Sequence, residues 1–127
     1  MGEWTQPRPF ERLLAELKLL FKVHCVKMIG KPPGLIKRVA VCGGSGGDFI
    51  SRAREKGADI YLTGDIRYHQ AVSWCDENMA ILDLGHYATE VFFIPEWGRR
   101  LEADLKTASL PVEVVVDTWG KDPFVYI

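Results

Sequence analysis

Three cysteines in 127 residues, Cys25, Cys42 and Cys75, are an odd number, and no two of them form a CxxC pair. That scarcity excludes a disulfide framework and a zinc knuckle, and it reads as reduced core thiols in a cytoplasmic protein. Charge of one sign is missing too. Sixteen Lys and Arg against 17 Asp and Glu leave a formal net charge of −1. A chain so balanced has no electrostatic footprint for DNA or RNA, so nucleic acid is not an expected partner without a local basic patch. No apolar run is long enough to cross a bilayer, and the first apolar stretch, near Leu13, is studded with Glu and Lys, unlike a secretory leader. Internal repeats and low-complexity segments are absent as well. What remains is 47% hydrophobic and 26% charged residues, globular proportions in a chain long enough to bury one core but not two. The expectation is a soluble, cytoplasmic, single-domain protein with no membrane partner.

Residues 1–9 (MGEWTQPRP) hold two prolines and no periodicity, so they read as a flexible lead-in to a folded domain at 10–127. Phe10, Leu13, Leu14, Leu17, Leu20 and Phe21 then recur at helical spacing, with Glu11, Arg12, Glu16 and Lys18 opposite, which predicts an amphipathic helix. VHCVKMIG suits a short strand and KPPG a turn. Beyond the turn, strand and helix alternate. RVAVCGG, IYLTG and MAILDLG are apolar strands, and DFISRAREKG and DIRYHQAVSWCDEN are the helices between them. In the first of these helices Asp48 stands at the positive end, Lys56 at the negative end and Gly57 just past it. LPVEVVVDTW predicts a further strand near the end. Short connections between alternating strands and helices imply a three-layer α/β fold, its sheet mostly parallel and covered by helices on both faces.

Three strands end in polar or glycine-rich loops, at Gly43–Asp48, Thr63–Asp65 and Gly85–His86. In an open α/β sheet these fall on the carboxyl rim, where ligands bind. His86 and Glu90, four residues apart in LDLGHYATEVFF, share one face of a helix with Cβ atoms about 6 Å apart. An imidazole and a carboxylate so placed can bind one ion, as HExxH helices do with two histidines. Two donors are not a complete site, and spacing alone favours the plainer reading of a helix start with a favourably placed Glu. GGSGG (Gly43–Gly47) lies between strand and helix, where backbone amides cradle anions. That makes Gly44, Ser45 and Gly46 candidates for anion binding, set against a tight turn that needs positive φ. In TGDIRYH, Asp65 is first a helix cap and secondly a catalytic candidate, and His69 is a candidate general acid or base. A lone helical histidine is more often structural. His24 reads as packing, and Trp74, Trp97 and Trp119 as core or interface, since no basic residues interleave with them. Ile94–Pro95 should end or kink the helix carrying His86 and Glu90, leaving about two turns for the pair.

Taken together, VAVCGGSGGDFI, ADIYLTGDIRYHQA and LDLGHYATE, in this order and spacing, resemble the Ngg-interacting-factor-three-like family, whose members are called GTP cyclohydrolase 1 type 2 homologues. The resemblance runs from about Phe10 to the terminal DPFVYI. It implies one lobe of a two-lobed α/β protein, the lobes facing each other across a dinuclear metal site, and assembly into toroidal hexamers. His86 and Glu90 would be metal ligands, with Asp65 and His69 lining the same cleft and the Ser45 loop close by. The family's remaining ligands, two adjacent histidines and an aspartate, belong to its first lobe. This sequence has no HH pair, so the resemblance is to the second lobe alone.

The function this implies is a partial divalent-metal lobe of hydrolase or cyclohydrolase type. Zinc, iron or manganese would suit the donors, with the site left empty in the lone lobe or completed by a separate first-lobe chain. Homo-oligomerisation would cover the apolar face between lobes. The alternative is a non-catalytic assembly module that keeps the fold without the active centre.

Overall fold

The structure is a computed structural model and describes residues 1–125. Three parallel strands form its centre: β3 (Leu35–Ser45), β4 (Ile60–Gly64) and β5 (Ala80–Asp83). IYLTG is buried at every position because β4 has a strand on each side, Tyr61 lying opposite Ala40 on β3 and Ile81 on β5. An antiparallel strand closes each edge, β1 (Gly2–Pro9) beside β3 and β2 (Lys27–Ile29) beside β5, giving the order β1-β3-β4-β5-β2. The sheet is therefore mixed, where a mostly parallel one is expected from the strand–helix alternation. β1 shows no apolar alternation, and β2, the short strand expected within VHCVKMIG, carries no signal of its direction.

β1 corrects the reading of residues 1–9 as a flexible lead-in. Prolines cannot donate to a ladder, so they are confined to edges and irregularities. Here Pro7 lies within the stretch where the register shifts, between Glu3 and Arg8. Side chains fasten the strand on both sides. Glu3 pairs with Lys37 at 2.7 Å across the ladder, and Arg8 reaches Glu16 on the following helix at 2.6 Å while lying over the Trp4 ring.

Period-two alternation in the strands sends residues to two separate cores. On one face α1 (Phe10–Phe21) packs Phe10, Leu13 and Leu17 against Ile36, Ile60, Leu62 and Leu82. On the other, α2 (Ile50–Glu55) packs Ile50 and Ala53 against Ala40, Tyr61 and Ile81, with Trp74 of α3 (Tyr68–Trp74) alongside. Helices thus cover both faces, as the three-layer expectation requires. Fully buried residues such as Ile60, Ile81 and Leu82 each contribute about 1.5–3 kcal/mol. Asp48 stands in a 3-10 turn (Gly47–Phe49) ahead of α2, and Gly57, at φ 71°, follows the helix in the left-handed conformation expected there.

α4 (His86–Val91) ends before Ile94–Pro95, and Pro95 opens the first turn of α5 (Ile94–Thr107). α5 has no counterpart in the sequence reading. Its signals are Leu101 and Leu105 at i, i+4, and ion pairs of Glu96 with Arg99 and Arg100 and of Glu102 with Lys106. LPVEVVVDTW, expected as a strand, joins no ladder among the described residues. Its alternation survives, Val114 and Val116 being half-buried and Val115 82% exposed. Val116 lies in the space that Gly98 of α5 leaves, and the Tyr87 hydroxyl donates to the Gly120 carbonyl. Strand propensity expresses itself against a neighbouring strand, and among the described residues none pairs with this stretch.

The cysteines are free; Cys25 and Cys75 are exposed and so are not core thiols, while Cys42 is half-buried and packs against the second core. Cys25 falls between α1 and β2, and Cys75 at the end of α3, where nothing covers them. Among the described residues no helix is long and apolar enough to cross a membrane.

Candidate functional site

Parallel strands deliver their carboxyl ends to one rim, and here the loops after β3, β4 and β5 meet. The closest approach is between backbones. A Cβ built on Gly64, the last residue of β4, would stand 2.7 Å from the Gly85 carbonyl carbon and 2.8 Å from the His86 nitrogen. Gly85, at φ 89°, turns the chain from β5 into α4 and makes His86 the first helical residue.

His86 Nδ1 lies 2.7 Å from Asp65 Oδ2, and Nε2 of the same ring lies 3.2 Å from Glu90 Oε2, one helical turn on. The hydrogen bond to Asp65 holds the His86 pKa above its ordinary value, aided by the Glu90 charge and opposed by desolvation. All three side chains are about half exposed, so water screens these pairs strongly. Asp65 adopts a left-handed φ of 53°, which aspartate tolerates better than most residues. It is not the helix cap expected for it. Arg67 holds that position, its N–H donating to Gln70 Oε1 at 3.1 Å.

The two ring nitrogens face opposite ways, so Asp65, His86 and Glu90 do not converge on one point. Among the described residues no three ligating side chains are arranged to hold an ion. They form a chain instead. The imidazolium donates to both carboxylates; in the neutral ring, an Nδ1–H kept on Asp65 leaves the Nε2 lone pair on the Glu90 side. Gly44, at φ 64°, passes over this point. A Cβ on it would come within 2.6 Å of Glu90 Oε1 and 3.3 Å of His86 Nε2. A glycine here therefore avoids crowding the imidazole–carboxylate pair, a donor set that fits part of a divalent-metal site.

The glycine loop is strapped from beneath by buried hydroxyls. Gly44 N–H donates to Thr89 Oγ1 at 2.9 Å and Gly46 N–H to Thr63 Oγ1 at 3.0 Å. Thr63 donates in turn to the Gly44 carbonyl, and the Tyr61 hydroxyl to the Gly46 carbonyl at 2.8 Å. Burial, with the Cys42 thiol adding, pushes the Tyr61 phenol up to about 12, so it stays a donor. Of the anion-binding candidates Gly44, Ser45 and Gly46, both glycine amides thus point into the protein, and Ser45 alone is exposed. His69 is exposed, its ring edge-on to Tyr68 at 5.6 Å. Among the described residues no hydrogen bond or ion pair joins its imidazole to His86, Asp65 or Glu90.

Thr63, Thr89 and Asp83 are the site residues that the sequence reading passed over. All three are buried and polar. For Asp83 the signal was a carboxylate inside the apolar run AILDLG, a placement that requires dedicated partners.

Residues 1–123 match the Duf34/NIF3 family, NGG1p interacting factor 3. Two curated relatives carry the name GTP cyclohydrolase 1 type 2 homolog. One, from Streptococcus pneumoniae, is 34% identical over 96% of this chain and 47% of its own length. The other, from Campylobacter jejuni, is 43% identical over 86% of this chain and 40% of its own length. The chain thus spans less than half the length of either. Among solved structures, Staphylococcus aureus protein SA1388 superposes with a TM-score of 0.85 at 29% identity, over 98% of this chain and 40% of that one. A Bacillus cereus protein related to NIF3 gives 0.83 at 28% identity, over 99% and 35%.

Proposed function

This chain belongs to the Duf34/NIF3 family, and from that premise we propose that it supplies half of a divalent-metal site in a hydrolase-like protein. His86 Nε2 and the Glu90 carboxylate would be the metal donors, and Asp65 the carboxylate that orients the imidazole. The observation that supports this reading is that Gly44 passes over the paired His86 Nε2 and Glu90 carboxylate, where a side chain would collide with Glu90. A catalytic zinc site uses three protein ligands and a dinuclear one more. A partner lobe, from a second copy or a separate chain, would complete the set. A bound divalent ion would supply Lewis acidity and an acidified water. This chain's residues hold Asp65 on the Nδ1 side of the ring and Glu90 one turn from the imidazole, and the lack of a side chain at Gly44 leaves that pair uncrowded.

Metal content of the purified protein, before and after dialysis against zinc, manganese or ferrous iron, tests the reading. Wild type should retain metal, and His86→Ala and Glu90→Gln should lose it. Equal and negligible metal in all three would sink the proposal. A second reading, a non-catalytic assembly module, draws on the same count of two donors. It expects wild type to stay metal-free yet to associate, with the apolar surface of Val91, Phe92, Phe93 and Trp97 beside Glu90 buried.

A further inference from the structure

We propose that Asp83 is a positioning residue of this site, one buried carboxylate that sets the Asp65 loop against the His86 loop. The role in metal binding rests on the proposed site; the clamp itself stands on geometry. Asp83 is 3% exposed at the carboxyl end of β5. Its Oδ1 accepts from Gly85 N–H at 3.0 Å, and Oδ2 accepts from Ile66 N–H at 3.2 Å. Gly85 precedes His86, and Ile66 follows Asp65. The two residues that share the 2.7 Å contact are therefore each one peptide away from an amide held by the same rigid, planar group. The β4–β5 ladder reaches only to Leu84, whose N–H donates to the Thr63 carbonyl at 2.8 Å, so it does not itself fix these loops. Asp65 also needs such a hold, because a non-glycine residue persists in the left-handed region only when its surroundings determine it. Lys27 Nζ, 3.1 Å from Oδ2, balances the buried charge.

An ionised carboxylate accepts at both oxygens, whereas an amide of the same shape accepts at one and donates at the other. Asp83→Asn thus keeps the volume but sets a donor against one of the two N–H groups. Lys27→Met leaves both tethers in place. Three readouts on the full chain decide the matter: exchange of the Ile66 and Gly85 amides, imidazole nitrogen NMR of His86 without metal, and Zn2+ affinity by competition. Wild type should show both amides protected and, at pH above the His86 midpoint where the ring is neutral, the proton on Nδ1. Asp83→Asn should lose protection at one amide, show mixed tautomers, and bind Zn2+ about 10–100-fold more weakly, the usual cost of removing an outer-sphere partner. Lys27→Met should keep the wild-type tautomer and protection. An Asp83→Asn protein with wild-type exchange, tautomer and affinity overturns the proposal. If that variant does not fold, rapid exchange of both amides in wild type overturns it equally. Failure of wild type to bind Zn2+ would defeat the metal-site reading, while exchange and tautomer would still decide the clamp.

Discussion

Gly64 lies directly beneath the Gly85–His86 peptide, with no room between them for a methyl group. Both partners are main chain, so neither can swing aside as a side-chain tip would. The end of β4 and the start of α4 are thereby in backbone contact, and the position of His86 depends on a residue 22 places earlier.

Gly64→Ala should therefore destabilise the protein by about 1–3 kcal/mol, the range for overpacking a close contact. It should also displace His86 from Asp65. Thermal unfolding reads the first effect, and loss of the Nδ1-protonated imidazole signal reads the second.

Thr89→Val removes the acceptor for the buried Gly44 N–H while keeping the side chain's shape. An orphaned buried donor costs about 1–3 kcal/mol. Thr89→Ser should recover most of the loss, because the hydroxyl returns. Denaturant melts of the three proteins check the order.

The pH dependence of the metal-free protein follows from His86. Its folded pKa is raised, chiefly by the hydrogen bond to Asp65. The stabilisation it brings is fully present below the unfolded value of about 6.5 and is lost as pH rises through the folded value. An NMR titration should find the midpoint above that of an unfolded histidine, and Asp65→Asn should lower it. Zn2+ affinity should rise through the same window, because a ligating imidazole must be neutral.

Deleting residues 1–9 should destabilise the chain, since it strips the β3 edge and removes the Arg8 partner of Glu16. A dispensable lead-in would leave the melting temperature unchanged. A fall of several degrees, with faster exchange along β3, is the expected result.

Much of this was legible in the sequence. α1 and β4 showed their patterns plainly, because an amphipathic stripe and an unbroken apolar run each answer to one neighbour. The convergence of three loops on a rim followed from alternating strands and helices alone. The short strand expected in VHCVKMIG is β2, whereas β1 was hidden for a physical reason: it spends Pro7 and Pro9 where a ladder N–H is not required. His86 and Glu90 could be paired by spacing, but Asp65 was misread as a cap. Its left-handed φ turns the carboxylate toward α4, and no spacing rule encodes that. Thr63 and Thr89 look like ordinary strand and helix residues until the glycine loop lies on them. LPVEVVVDTW was the opposite error, a strong propensity with no strand to meet it.

That valine-rich stretch has a consequence for how the protein behaves at high concentration. Among the described residues no hydrogen bond engages the backbone of residues 113–117, and Val115 faces solvent. Free amides beside β-branched side chains are a template for aggregation. Glu113 and Asp117 put negative charge at both ends of the template, and antiparallel self-pairing about Val115 would bring these like charges opposite each other. The same carboxylates that make the segment unremarkable in composition are its gatekeepers, and acid or high salt, which removes or screens their charge, takes that protection away.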